Sequence, residues 1–366
     1  MVKLVRMLSE PYIDPEFKGQ RTFAMKSRVG RVAALGLVAA FFATTLADDA
    51  SACSRILSNT NGQANVVART MDLYRSDAAK MVVYPRGLER VSKTGDGKPF
   101  TWASKLGSVA VTSFGAAASD GMNEKGLVAN LLYLGDTRYE PRDSRPGLSN
   151  LLWAQYVLDN FASVKEAVEG LKDVQIVPVA LDGKQWPLHL AISDAEGDSA
   201  IVEFVDGRMV VHQGKEFTVM TNEPPLETQL KNLRNYKSFG GLRPMPGDID
   251  PESRFVRAAS YLKTLPPARS VPEAIAGAQS IARTVAVPPG AKDTSGGGAE
   301  DAWPTLWFTL ADSTNKTYFF HSASSPNLYW VDLTKIDFGS KASERAIDAY
   351  DRALVGDITQ RLTNVP

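Results

Sequence analysis

The chain has 366 residues, 44% of them hydrophobic, with 41 Lys and Arg against 41 Asp and Glu. That composition supplies a sizeable core for one large or two ordinary domains and excludes general disorder. The zero net charge argues against a nucleic-acid binder, and a single cysteine, Cys53, excludes an internal disulfide or a multi-cysteine metal site.

The first predicted element is a leader. Lys26, Arg28 and Arg31 form a basic cluster, an apolar run follows from Val32 to Ala47, and Ala50-Ser51-Ala52 supplies a small-x-small cleavage site. This is the layout of a secretory signal peptide starting at Met25, with Met1–Ala24 as an extension or a misplaced start. The run is too short for a comfortable membrane span, which needs about 20 residues. We therefore expect 1–52 to be removed, leaving 53–366 as a single catalytic domain, periplasmic or secreted.

Strands are expected at 64–69, 81–84, 108–113 and 127–133, the last preceded by a turn over Asp120–Gly126. Helical spacing covers Leu148–Phe161 and Ser163–Leu171. Strand patterns return at 188–193, 200–204, 209–212 and 217–221. Helices are expected at Ser253–Leu265 and Val271–Val285, the second capped by Ser270. Gly290–Gly298 reads as a flexible loop. Strands follow at 307–310, 316–321 and 328–331, then a peripheral C-terminal helix over 342–362. Blocks of antiparallel strands and helices point to a layered α+β domain.

Cleavage after Ala52 would make Cys53 the first residue, joining the only thiol to a free α-amine. An α-amine has a pKa of about 7.7–8.0 and a thiol about 8.5. The amine can then take the thiol proton with no histidine involved. His189, His212 and His321 form no metal-binding pattern. Arg69 and Asp72 stand sixteen and nineteen residues after Cys53, and a strand at 64–69 pairing with the N-terminal strand would bring both to the thiol. A carboxylate there can hold the amine, and a guanidinium can favour the thiolate. Asn222 at a strand end could donate to an oxyanion. Each has a plainer reading: Asp72 as a loop acid, Asn222 as turn chemistry, Arg254 as a helix-surface charge.

Taken together, Cys53-Ser54-Arg55, Ala68-Arg69-Thr70-Met71-Asp72, Gly121-Met122-Asn123-Glu124-Lys125-Gly126-Leu127, Thr221-Asn222-Glu223-Pro224, Ser253-Arg254-Phe255-Val256-Arg257 and Asn327-Leu328-Tyr329-Trp330-Val331-Asp332-Leu333 resemble the choloylglycine hydrolase family. That family comprises penicillin V acylases, conjugated bile-salt hydrolases and acyl-homoserine-lactone-cleaving relatives. The resemblance implies the four-layer αββα sandwich of N-terminal-nucleophile hydrolases. It implies Cys53 as nucleophile with its α-amine as base, and Asp72 as the acid holding that amine. Arg69 and Arg254 become flanking guanidinium groups, and Asn222 the oxyanion donor together with the Tyr133 backbone N–H. Bile-salt hydrolases typically carry asparagine where Tyr133 stands, so the resemblance is to the penicillin V acylase branch.

The implied reaction is hydrolysis of a small-molecule amide by acyl transfer, with no metal or organic cofactor. Met71 and Tyr133 are the expected acyl-pocket residues, chosen from a group that includes Trp186, Trp153 and Tyr74. No nucleic acid and no stable membrane anchor are expected. A homotetramer is the assembly the resemblance suggests, although the Asn222-to-Arg254 stretch is short where some members carry a tetramer-building loop. Two alternatives stand beside this reading: a conjugated bile-salt hydrolase, and a lipid-anchored periplasmic binding protein modified at Cys53.

Overall fold

The computed structural model describes residues 53–95, 99–115, 117–291 and 303–365. The predicted leader and its cleavage site lie outside the described residues, as does most of the predicted Gly290–Gly298 loop.

β1 (Ser54–Ser58) and β2 (Val66–Asp72) form an antiparallel pair buried along its whole length. β3 (Lys80–Tyr84) follows, then a separate ribbon of β4 (Glu89–Ser92) and β5 (Phe100–Ala103). β6 (Ser108–Ser113), β7 (Ala117–Asn123) and β8 (Val128–Tyr133) make a meander. β9 (Gly147–Ser149) leads through a 3₁₀ turn into α1 (Trp153–Asn160). Ser163 accepts from Glu166 N–H and so starts α2 (Val164–Gly170). β10 (Gln175–Val177) pairs with β9. β11 (Leu188–Ser193), β12 (Ser199–Val205) and β13 (Arg208–Gln213) extend the meander, and β14 (Val219–Met220) pairs with β1.

Three helices come next: α3 (Leu226–Leu233), α4 (Pro251–Thr264) and α5 (Val271–Val285). Asp250 and Ser270 cap the last two, each with a proline in the first turn. β15 (Thr305–Asp312), β16 (Thr317–Ser322), β17 (Tyr329–Asp332), β18 (Arg345–Asp348), β19 (Gly356–Asp357) and β20 (Thr363–Asn364) complete the chain.

These strands sort into a seven-stranded sheet, β14-β1-β2-β15-β16-β17-β19, and a nine-stranded one, β13-β12-β11-β8-β7-β6-β3-β18-β20. One apolar cluster joins Val67, Leu310 and Phe320 of the first sheet to Val109, Val128 and Leu132 of the second. It extends to Phe255 and Ile281 of α4 and α5, which cover the first sheet. A second cluster seals α1 and α2 against the second sheet through Trp153, Val157, Ala167 and Phe204. The layers are helix, sheet, sheet, helix, which is the expected αββα sandwich. Among the described residues no helix is long and apolar enough to cross a membrane.

Three expectations are corrected. The C-terminal helix over 342–362 is absent: β18 pairs with β3 and β20 with β18, and Gly356 takes a φ of +73°. The apolar spacing there suits a helix, but the segment covers the edge of β3 that would otherwise stand open. The helix expected from Leu148 starts only at Trp153, because Gly147–Ser149 pairs with β10. The turn expected from Asp120 is strand as far as Asn123. A Cβ on Gly121 in that strand would lie 2.8 Å from Leu158 Cδ1 and 2.8 Å from Val109 O, so glycine is what lets α1 lie against β7.

Candidate active site

Cys53 stands at the head of β1, buried between the sheets. The register of β1 against β2 places Ser54 opposite Thr70 and Arg55 opposite Arg69. Side chains alternate along a strand. Arg69 and Met71 therefore share the face turned to the second sheet, and Thr70 and Asp72 the face turned to the helices. The Cys53 thiol lies with the first pair: its Sγ is 3.9 Å from Met71 Sδ and 3.9 Å from Arg69 Nη2. The Asp72 backbone carbonyl is also 3.9 Å from Sγ.

Arg69 is fixed from several sides. Its guanidinium lies 4.4 Å over the Trp307 ring, Nη2 donates to Leu131 O at 3.2 Å, and Nε is 4.0 Å from Asp120 Oδ2. Leu131 can offer its carbonyl because β7 pairs with β8 only across Asp120–Met122 and Val128–Asn130. Beyond Asn130 the backbone of β8 on that side is open to side chains of the site. Tyr133 uses the same opening: its carbonyl accepts from Asn222 Nδ2 at 2.7 Å. Leu188, opposite Tyr133, gives its N–H to Tyr139 Oη and its C=O to Thr137, so the Tyr133 peptide groups are directed away from β11.

Asn222 ends the short stretch after β14 and joins the two halves of the site. Its Oδ1 accepts from the Cys53 backbone nitrogen at 2.5 Å and from Arg254 Nη2 at 2.9 Å. Arg254, on α4, also donates from Nη1 to Cys53 O at 2.6 Å and to Ser54 Oγ at 2.7 Å, and from Nε to Ile249 O at 2.8 Å. It is fully buried, so the plain reading as a helix-surface charge does not hold. Asp72 is likewise buried and is no loop acid. Its carboxylate is held by Thr305 Oγ1 at 2.5 Å and by Thr70 Oγ1 at 3.4 Å. The Cys53 nitrogen, still a peptide nitrogen in the uncut chain, is bonded to Asn222 rather than to Asp72.

Burial dominates the electrostatics. It pushes the Cys53 thiol up, with the Arg69 guanidinium as the main opposing influence. It pushes Asp72 up to about 7, against Arg254, the Thr305 hydroxyl and Arg69. It lowers Arg254, with Asp72 the first of the groups that oppose this. Two cations flanking one thiol and one carboxylate leave a site able to stabilise developing negative charge at Cys53.

An apolar pocket opens on the thiol, walled by Met71, Leu131, Tyr133, Trp186 and Leu188. Met71 and Tyr133, the two expected acyl-pocket residues, line this pocket, and Trp186 lines it as well. Trp153, the first residue of α1, is instead buried in the core against the second sheet, and Tyr74 is half exposed against Trp303. Four residues near the chemistry were not foreseen: Thr70, Asp120, Leu131 and Thr305. Asp120 sits among turn-forming residues, Thr70 falls within the Ala68–Asp72 motif without being singled out, and Leu131 and Thr305 lie in none of the matched motifs. Among the described residues no cluster of His, Cys, Asp and Glu could hold a metal ion.

The model of the linear amide C–N hydrolases of the choloylglycine hydrolase type matches residues 53–348. The chain belongs to the choloylglycine hydrolase family. It is 37% identical to a penicillin V acylase of Pectobacterium atrosepticum over 342 residues, covering 86% of this chain and 89% of that protein. It is 30% identical to a bile salt hydrolase/transferase of Clostridium perfringens over 236 residues, covering 57% and 70%. Penicillin V acylase from Agrobacterium tumefaciens superposes with a TM-score of 0.76 at 37% identity, over 86% of this chain and 98% of that one. The C. perfringens conjugated bile acid hydrolase shares the fold, with a TM-score of 0.70 at 22% identity. This choloylglycine hydrolase homologue is therefore an amidohydrolase acting on linear amides, resembling penicillin V acylase, with bile-salt hydrolases among its relatives. That assignment displaces the binding-protein alternative.

Proposed function

We propose that cleavage after Ala52 frees Cys53 as an N-terminal nucleophile, and that the enzyme deacylates amides carrying an extended apolar or aryl acyl group. The observation that carries this reading is the convergence on Cys53: its nitrogen on Asn222, its carbonyl on Arg254 and its thiol beside Arg69. The family match starting at residue 53 supports the same cut.

In this mechanism the α-amine takes the thiol proton and the sulfur attacks the amide carbon. Asn222 Nδ2 carries two hydrogens, one of them on Tyr133 O. The second, with the Tyr133 peptide N–H, receives the oxyanion. The ammonium then returns its proton to the leaving nitrogen as the C–N bond breaks, giving an acyl thioester that water hydrolyses. Asp72 and Arg254 hold the amine and the Cys53–Ser54 peptide in place. A wall of aliphatic and aromatic side chains, with Arg69 the one charged group among the described lining residues, suits a fatty-acyl or aryloxyacetyl chain. Acyl-homoserine lactones belong to that class, and the leader pattern supports action in the periplasm or outside the cell. Release of the amine from penicillin V, an acyl-homoserine lactone and glycocholate, compared by kcat/KM, tests the reading. Glycocholate as the best of the three would transfer the enzyme to the bile-salt branch.

A further inference from the structure

Thr305 faces Asp72 because of an irregularity in the sheet. β15 pairs with β2 as Thr305 opposite Asp72 and then Trp307 opposite Met71, so Leu306 is an extra residue bulged out of the ladder. Such bulges re-aim a neighbouring side chain. The hydroxyl thus brought to Asp72 is fully committed. Its oxygen accepts the Val287 N–H at 2.8 Å, and Thr305 N–H returns a bond to Val287 O at 2.9 Å. Val287 follows directly on the residue that caps α5. A hydroxyl has one hydrogen. With its oxygen accepting from Val287, that hydrogen is directed to Asp72 Oδ1 at 2.5 Å.

We propose that Thr305, aimed by the Leu306 bulge and clamped to the end of α5, is a positioning residue that holds the Asp72 carboxylate ionised and oriented for the reaction. The proposal rests on the N-terminal-nucleophile reading. Thr70 repeats the arrangement more weakly: its oxygen accepts Ser54 N–H at 3.1 Å and lies 3.4 Å from Asp72 Oδ2. A carboxylate removed from water keeps its charge only where donors and cations surround it. The charged and titratable groups acting on Asp72 are Arg254 from α4, Arg69 from β2 and the Cys53 thiol from β1, while Glu223 and Asp250 act on Arg254. Thr305 supplies a short neutral donor on β15, at the junction with α5.

The test is the pH profile of kcat/KM for processed wild type and for Thr305→Val, Thr305→Ala and Thr305→Ser, each checked for an intact thermal transition. Losing the donor favours the protonated carboxyl, so the acid limb moves to higher pH in Val and Ala. A displacement of about one pH unit is expected, a roughly tenfold loss at a fixed acid pH that closes in alkali, with KM near wild type. Serine keeps the hydroxyl and should restore the profile. Alanine cannot clash, so the test stands if valine is not tolerated by the fold. Val and Ala profiles that superpose on wild type, or a serine variant as displaced as valine, would overturn the proposal. Failure of the underlying reading looks different: Cys53→Ala would then retain turnover.

Discussion

Asn222 Oδ1 accepts from the Cys53 backbone nitrogen at 2.5 Å, a contact between residues 169 apart in the chain. The same side chain ties down Arg254 through its oxygen and Tyr133 through its nitrogen. One amide therefore touches Cys53 just ahead of β1, Tyr133 of β8 and Arg254 of α4 at the point where they meet. Asn222→Ala should lower kcat by about 10²- to 10³-fold, the usual loss on removing an oxyanion donor, with a smaller change in KM. Steady-state kinetics decide this, and a kcat within twofold of wild type would remove Asn222 from the reaction.

Asp72 sets an expectation for pH. Burial raises its carboxyl to about 7, so falling pH neutralises it near neutrality and, in the proposed mechanism, removes the negative charge beside Cys53. A free α-amine, with an ordinary pKa of about 7.7–8.0, also becomes protonated and useless as a base over that range. Both ionisations have the same sign, so kcat/KM should fall steeply as pH drops from 8 to 6. Asp72→Asn should lower kcat more than it changes KM and leave a shallower acid limb. An unaltered limb and kcat would make Asp72 purely structural.

Arg254 is placed to be irreplaceable by lysine. Its fork serves Cys53 O, Ser54 Oγ, Asn222 Oδ1 and Ile249 O, and a single ammonium cannot reach all four. Each buried acceptor left without a donor costs about 1–3 kcal/mol. Arg254→Lys should lower the thermal midpoint by several degrees and reduce kcat together with it. A variant matching wild type in both would show that the contacts are dispensable.

The pocket makes a prediction about size. Trp186 and Leu188 stand on the wall beside Tyr133. Trp186→Ala should raise KM for phenoxyacetyl or long-chain acyl amides by roughly tenfold while leaving acetyl amides unaffected, because only the larger groups reach the indole. Equal effects on short and long acyl groups would place Trp186 outside the acyl site.

How much of this could be read beforehand depended on the kind of pairing involved. The sixteen- and nineteen-residue spacings of Arg69 and Asp72 from Cys53 sit on one hairpin, whose register follows from two neighbouring strands. Thr305 could not be found that way. Its approach to Asp72 needs a long-range strand pair and a bulge, and neither leaves a pattern in the residues around it. Asp120 was hidden by turn-forming neighbours, although its carboxylate takes hydrogen bonds from Asn130, Thr309 and Tyr318 inside the sandwich. Leu131 and Leu188 are spaced like any core leucine, and only the cavity separates wall from core. The C-terminal segment was misread because helical spacing of Ala346, Ile347, Tyr350 and Leu354 says nothing of the open edge at β3.

The central claim is that Cys53 acts with a free thiol and a free α-amine on one residue. The direct measurement is the intact mass of the active protein isolated from cells producing the full chain. It should correspond to residues 53–366 with no added lipid mass, and a chain retaining even one residue ahead of Cys53 should fold but release no amine. A fully active species that still carries residues before Cys53, or whose Cys53 bears a diacylglyceryl group, would contradict the account.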